Sequence, residues 1–252
     1  MHYTARENGR AFFEVYVKRL GRVCIVDVGS LDLNGSLREL CPPEAAYVGV
    51  DLSPGRGVDI VLDDPYTLPF PDASQDVVVS TSCFEHTEMF WLVFSEVLRI
   101  LKPAGLFYLN APSNGAVHRY PMDCWRFYPD SGRALVAWAR RTGLTPALLE
   151  SYTSRQKQGF FNDFVAVFLK DEACAAQHPG RIVLRITDFA NGTVHGREDL
   201  LNPRMATEDQ ELRWKQPKPS LLDTLGAYAS SLRKKCLPRP ARSGPGSPPP
   251  EA

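Results

Sequence analysis

Aspartates recur at one kind of place in this chain. Asp27 stands in Val26-Asp27-Val28-Gly29-Ser30, Asp51 closes the run Tyr47 to Leu52, and Asp63 and Asp64 follow Ile60 to Leu62. Each ends a short run rich in Val and Ile. A glycine there lets the backbone approach a ligand, and a helix start just beyond it offers free N–H groups that suit a carboxylate or a phosphate. Asp51 follows the glycine loop by about 20 residues, the interval at which a carboxylate accepts hydrogen bonds from both hydroxyls of a ribose. Asp63 and Asp64 fall where an adenine amino group is expected. One aspartate at a strand end serves equally well as a turn or cap residue, but three in succession point to a shared pocket.

A second patch, from Ala111 to Pro129, is dense in groups that hydrogen-bond, stack or exchange protons. His118 is a candidate general base, with Asp123 as its partner or as an alternative base. Asn114, Arg119, Tyr120, Trp125 and Arg126 are candidates to hold an anionic or sugar-like acceptor. The competing reading is structural: Trp125, Phe127 and Tyr128 pack the loop onto a sheet while Arg126 pairs with Asp123 or Asp130. His86, next to Glu85, reads as a helix cap or a contact at a ligand's edge.

The elements that must position these groups follow from periodicity. Strands are expected at Val23–Val28, Tyr47–Leu52, Ile60–Leu62, Asp76–Ser80 and Leu106–Asn110. Their apolar runs suit strands buried on both faces, as in a parallel sheet. Phe90 to Leu101 places Phe90, Val93, Phe94, Val97, Leu98 and Leu101 on one helical stripe, which Pro103 and Gly105 then stop. A shorter helix begins at Ser36, with Glu39 in capping-box spacing, and another spans Ser131 to Arg141. Ala147–Tyr152 and Phe164–Lys170 lie too close together for a crossover helix, so they read as an antiparallel pair closing the sheet. Arg181–Ile186 is a candidate extra strand. Ser220 to Lys235 has helical spacing, and the Pro/Gly/Ser-rich segment from Pro238 reads as disordered. The resulting division is an N-terminal helix (1–21), the ligand-binding domain (22–171), an extension (172–237) and a tail (238–252).

Composition excludes several function classes. Lys plus Arg and Asp plus Glu both number 29 in 252 residues, so no net field draws the chain onto nucleic acid or anionic lipid. No apolar run reaches the ~18 residues of a membrane span. Six scattered cysteines form no C-x-x-C and no histidine stands at metal-ligand spacing, so a cytoplasmic protein with reduced thiols and no metal is expected. Asn34-Gly35-Ser36 and Asn191-Gly192-Thr193 read as turns rather than glycosylation sites.

Three further segments carry a resemblance. Leu68-Pro69-Phe70-Pro71-Asp72-Ala73-Ser74-Gln75-Asp76-Val77-Val78-Val79-Ser80, then Phe84-Glu85-His86, then Glu96 to Leu106 with Leu101-Lys102-Pro103-Ala104-Gly105, closely resemble the middle of class I S-adenosylmethionine-dependent methyltransferases. The resemblance covers about Val23 to Lys170. It implies a Rossmann-like, doubly wound α/β fold with a seven-stranded sheet, mostly parallel with an antiparallel last strand, and S-adenosylmethionine as cofactor. Carried over, it puts Asp27, Gly29 and Ser30 at the methionine end, Asp51 and Leu52 on the ribose, Asp64 near the adenine, and Ser80 and Ser82 along the cofactor's edge. The loop Gly29-Ser30-Leu31-Asp32-Leu33-Asn34-Gly35 departs from the family, because the second and third glycines are absent or displaced. A subgroup associated with sugar and cell-surface glycan biosynthesis is similar here and in the segment after Ala111.

The function this implies is methyl transfer to a small molecule or saccharide, with O-methylation expected. A binding or scaffold protein that keeps the fold with weak or no catalysis is the alternative, supported by the altered glycine loop. A nicotinamide-dependent oxidoreductase is disfavoured by the glycine spacing.

Overall fold

Eight strands form one sheet because their apolar runs have cover on both faces. They are β1 (Cys24–Val28), β2 (Ala46–Asp51), β3 (Ile60–Val61), β4 (Gln75–Thr81), β5 (Leu101–Pro112), β6 (Ala147–Ser154), β7 (Asp163–Leu169) and β8 (Phe189–Val194). Every residue of β7 is buried. The order across the sheet is β3-β2-β1-β4-β5-β7-β6-β8. β1 to β5 pair in parallel, while β7 inserts antiparallel between β5 and β6. The computed structural model describes residues 2–155, 157 and 161–207. The expected helix at Ser220–Lys235 and the tail from Pro238 lie outside the described residues.

Seven strands were expected and eight are present among the described residues. The additional strand is β8, which pairs antiparallel with β6. Arg181–Ile186 does not supply it. That run makes a single 3-10 turn at Ile182–Leu184, because the amides of Ile182 and Val183 donate to the buried Glu150 carboxylate at 2.7 and 2.9 Å, leaving them unavailable for a ladder. Tyr16 donates its hydroxyl to the same carboxylate at 2.6 Å. Asn191-Gly192-Thr193 is no simple turn either. It lies within β8, where Asn191 takes a left-handed φ of 52° and the register against Ser151 and Thr153 slips, as at a bulge.

One face of the sheet is covered by α1 (Tyr3–Phe12) and a π-helical turn over Phe13–Val17. Phe12 stacks on Tyr108 of β5 at 4.7 Å between ring centroids. The other face carries α2 (Phe90–Ile100) and α3 (Ser131–Arg141). There Phe94 packs edge-on to Phe168 at 4.9 Å, and Phe107 stacks on Phe168 at 5.8 Å. Each such ring contributes about 1.5–3 kcal/mol by leaving water. α3 ends at Gly143, whose φ of 89° is the left-handed conformation that closes a helix. The element after Ser36 is one 3-10 turn, Leu37–Leu40. Ser36 Oγ caps it by accepting from the Arg38 amide at 3.1 Å, but Glu39 turns outward to Arg6 at 2.6 Å, so the capping box stays open.

The parallel strands all point their carboxyl ends the same way. That edge receives the loops after β1, β2, β4 and β5, and a cavity opens among them.

Candidate active site

The cavity has a volume of about 620 Å³ and joins the strand ends to the long loop after β5. Its first end is built by the β1 and β2 loops. Gly29 adopts φ 82°, and a Cβ there would lie within 2.6 Å of the Cys83 sulfur, so only glycine lets the β1 loop pass. The Leu31 amide donates to Asp51 Oδ2 at 3.1 Å and the Ser53 amide to Oδ1 at 3.0 Å, which fixes the carboxylate at the cavity wall. The altered glycine loop is closed by Asp32. Its carboxylate accepts from the Gly35 amide at 2.6 Å and pairs with Arg56 at 2.8 Å, which does by hydrogen bonding what further glycines do by conformational freedom.

Asp27, Gly29, Ser30, Asp51, Leu52 and Ser82 all line the cavity. Burial pushes the Asp27 carboxyl up to about 6, against the hydrogen bond it accepts from the Tyr47 hydroxyl at 2.7 Å. Ser30 Oγ is buried without a hydrogen-bond partner among the described residues. Two residues of the same expected set stand elsewhere. Ser80 is buried and donates its hydroxyl to the Val28 carbonyl at 2.8 Å, tying β4 to β1. Asp64 is exposed and accepts from the Tyr66 amide at 3.0 Å and the Thr67 hydroxyl at 2.8 Å. Those two bonds hold its carboxyl below the usual range. Leu62 and Pro65 are the residues of that loop that reach the cavity.

The second end is the loop after β5. The Glu85 carbonyl accepts from the Cys124 and Trp125 amides at 2.7 and 3.1 Å, and the Pro112 carbonyl accepts from the Phe127 amide at 3.0 Å. Pinned in this way, the loop brings His118, Arg119, Tyr120 and Met122 to the cavity, opposite Phe161. Asp123 is only 2 % exposed; it accepts from the His118 amide at 2.7 Å and from Arg126 at 2.5 and 2.8 Å. Arg126 holds the Asp123 carboxyl well below the usual carboxylate range, so Asp123 keeps its charge and takes no proton near neutrality. Its Oδ2 also lies 3.5 Å from His118 Nδ1.

Asn114, Trp125 and Arg126 do not line the cavity. The Asn114 side-chain oxygen Oδ1 accepts from the Asn162 backbone amide at 2.5 Å. Trp125 donates its indole N–H to the Thr87 and Glu88 carbonyls at 3.0 and 3.2 Å and packs edge-on to Phe90 at 5.3 Å. Arg126 donates to the Ala116 carbonyl at 2.9 Å in addition to Asp123. All three shape the loop from behind.

The resemblance set the Glu85–His86 pair beside the cofactor but gave Glu85 no role of its own. Its carboxyl is 1 % exposed, burial pushes it up to about 8, and Oε2 has no hydrogen-bond partner among the described residues. His86 sits beside it with Nε2 at 3.7 Å from Glu85 Oε1, while Nδ1 bonds the Met122 carbonyl. Burial lowers the His86 pKa. The His86 and His118 rings meet edge-on at 4.9 Å. Only the pair's place directly after a strand end signalled this. His2 also reaches the cavity, with Nε2 at 3.1 Å from the buried Asp163. No helix among the described residues is long and apolar enough to cross a membrane.

Comparison with known proteins bears on this arrangement. Residues 14–109 match the family model described as a methyltransferase domain. An uncharacterized methyltransferase of Mycolicibacterium gilvum is 29% identical over 151 residues, covering 45% of this chain and 59% of that protein. The ubiquinone/menaquinone biosynthesis C-methyltransferase UbiE of Geobacter sulfurreducens is 34% identical over 100 residues, covering 34% of this chain and 39% of that protein. The chain thus spans less than two thirds of these relatives' lengths. Among solved structures, the 1,6-didemethyltoxoflavin-N1-methyltransferase of Burkholderia thailandensis, with bound 1,6-didemethyltoxoflavin and S-adenosylhomocysteine, matches with a TM-score of 0.50 at 14% identity. That match covers 66% of this chain and 80% of the other, and it establishes the Rossmann-like methyltransferase fold.

Proposed function

We propose that this chain is an S-adenosylmethionine-dependent methyltransferase that O-methylates a small molecule or saccharide. The observation that carries the reading is the single cavity that runs from Asp27, Gly29 and Asp51 to His86 and His118. Its first end fits the cofactor chemically. A carboxylate at the close of β2 suits a ribose diol, the glycine turn permits backbone approach, and the unpartnered Ser30 hydroxyl and buried Asp27 offer polar contacts to an amino acid moiety.

When bound, S-adenosylmethionine supplies a methyl group already activated by its sulfonium. What remains for the chain is to orient the acceptor, exclude water and remove a proton. His118 is oriented through Nδ1 by Asp123 and presents Nε2 to the acceptor hydroxyl, whose proton it takes. Asp123 stabilises the resulting imidazolium. Tyr120, Met122 and Phe161 give the acceptor an apolar face to lie on, as a sugar ring or aromatic ring requires, and Arg119 stands at the mouth for an anionic substituent. We assign cofactor binding to residues 22–171 and place the activity in the cytoplasm, in keeping with the five free cysteines among the described residues.

The deciding experiment is calorimetry with S-adenosylhomocysteine, followed by incubation with methyl-labelled cofactor and a panel of hydroxylated acceptors. Binding with label transferred to an acceptor oxygen is the expected result. A folded protein that binds no cofactor would leave the scaffold reading in its place.

A further inference from the structure

Glu85, His86 and His118 come from two loops, yet one ligand atom of each lies within 4.8 Å of the others. All three line the cavity. We infer that they form a binding site for one divalent transition-metal ion of the zinc or cobalt type, with an open coordination position facing the cavity. Two histidines and a glutamate with one position left to solvent or substrate is a donor set that zinc accepts. The residues are adjacent or 32 apart in the chain, so no ligand spacing announces them in the sequence.

Four observations point to a cation. First, Glu85 Oε2 is a fully buried carboxylate oxygen with no hydrogen-bond partner among the described residues, and an unpaired buried acid is costly unless a cation neutralises it. Second, His86 has the outer partner that fixes a metal ligand's tautomer. The Met122 carbonyl can only accept, so His86 carries its proton on Nδ1 and leaves the Nε2 lone pair turned to Glu85. Third, His118 Nδ1 faces Asp123 Oδ2 at 3.5 Å and the Ala116 carbonyl at 3.4 Å, an arrangement like the carboxylate–histidine–zinc series. Fourth, the nearest fixed cation does not oppose binding: Arg126 lies 3.4 Å from His118 Nδ1, but its charge is matched by Asp123.

Zinc–ligand bonds of about 2.0–2.2 Å set tetrahedral ligand atoms roughly 3.4 Å apart, so the Glu85–His86 pair at 3.7 Å is nearly in place and the widest separation must close by up to about 1.4 Å on binding. A hard cation such as magnesium, which prefers all-oxygen ligands, is disfavoured. This inference concerns metal affinity; a metal held on His118 would take the Nε2 lone pair that the proposed base uses, so the metal-loaded and metal-free chains differ in whether His118 can accept a proton.

The test uses the full chain, stripped of metal with a chelator and titrated with Co²⁺ by absorption spectroscopy. The expected result is one equivalent bound per chain, with visible d–d bands and no thiolate charge-transfer band, displaced stoichiometrically by Zn²⁺. His118→Ala lies on a partly exposed side chain and is expected to fold, with cobalt affinity at least tenfold weaker; Glu85→Gln is expected to weaken it similarly. No stoichiometric uptake, an unchanged affinity in His118→Ala, or a thiolate band abolished by Cys124→Ser would each overturn the assignment. S-adenosylhomocysteine binding, measured on the same samples, tests the methyltransferase reading separately.

Discussion

Asp123 Oδ1 lies 2.5 Å from Arg126 Nη1, within a single loop, and the same carboxylate accepts the backbone N–H of His118. The ion pair is therefore what holds the histidine in the cavity. Asp123→Ala removes two charge-assisted hydrogen bonds from a mostly buried guanidinium, and such a loss costs about 2–4 kcal/mol after allowance for the partial exposure of Arg126. Urea unfolding of the wild type and the variant measures it. A change below about 0.5 kcal/mol would mean the loop is held by its backbone bonds to Glu85 and Pro112 alone.

Asp27 makes folding pH-dependent. Its carboxyl rises from the ordinary 3.8 to about 6 on burial. A raised carboxyl pKa stabilises the folded state fully below pH ~4, and that contribution is lost as pH rises through ~6, where the folded state must ionise a buried group; the full loss is about 3 kcal/mol. Asp27→Asn removes this titration, so the variant's stability relative to wild type should rise between pH 4 and 6. Guanidinium midpoints at half-unit pH steps report it, and parallel curves for the two proteins would count against the assignment.

The strand pattern was legible because burial on both faces leaves a local signature: the valines of β4 and the alternation around α3 need no knowledge of the rest of the chain. The end of the sheet was less so. β8 contains Asn191 and Gly192, residues that signal a turn, and it is a strand only because β6 offers an unpaired edge to a bulged partner. In the site, Asp51 and His118 follow from strand ends and loop position. Trp125 and Asn114 look like ligand contacts by type, yet each is used up by a partner far along the chain, and composition cannot tell a spent donor from a free one; Arg126 pairs with Asp123 in its own loop, the structural alternative that its spacing had offered. Glu85 was hidden for the opposite reason. Acidic residues usually lie at the surface, and nothing local says this one is buried.

Asp51→Ala should weaken S-adenosylhomocysteine binding by about 1–3 kcal/mol, through loss of charge-assisted hydrogen bonds and of the acceptor for the Leu31 and Ser53 amides. Calorimetric dissociation constants measure this. Equal affinity in wild type and variant would remove Asp51 from the cofactor site.

His118→Ala should lower kcat by about 10²- to 10⁴-fold, the usual worth of a positioned base, while cofactor affinity is retained. Single-turnover rates beside calorimetry separate the two. Full turnover by the variant would show that the acceptor needs no proton removed by this residue.

Gly29 and Cys83 set the sharpest steric test. An alanine at position 29 faces two independent penalties. The left-handed φ of 82° costs a non-glycine residue about 1–2 kcal/mol, and the new Cβ meets the Cβ and sulfur of Cys83, an overlap of the kind that costs about 1–3 kcal/mol. Only the second depends on Cys83. Gly29→Ala should therefore destabilise the fold by about 2–5 kcal/mol and weaken S-adenosylhomocysteine binding, because relief of the overlap moves the β1 loop that shapes the cavity. Adding Cys83→Gly removes both the Cβ and the sulfur and should restore part of both losses, with the conformational share remaining. A double-mutant cycle on unfolding free energies gives the coupling between the two positions directly. A coupling near zero would mean the loop yields without pressing on Cys83, and the claim that only glycine lets the β1 loop pass would be withdrawn.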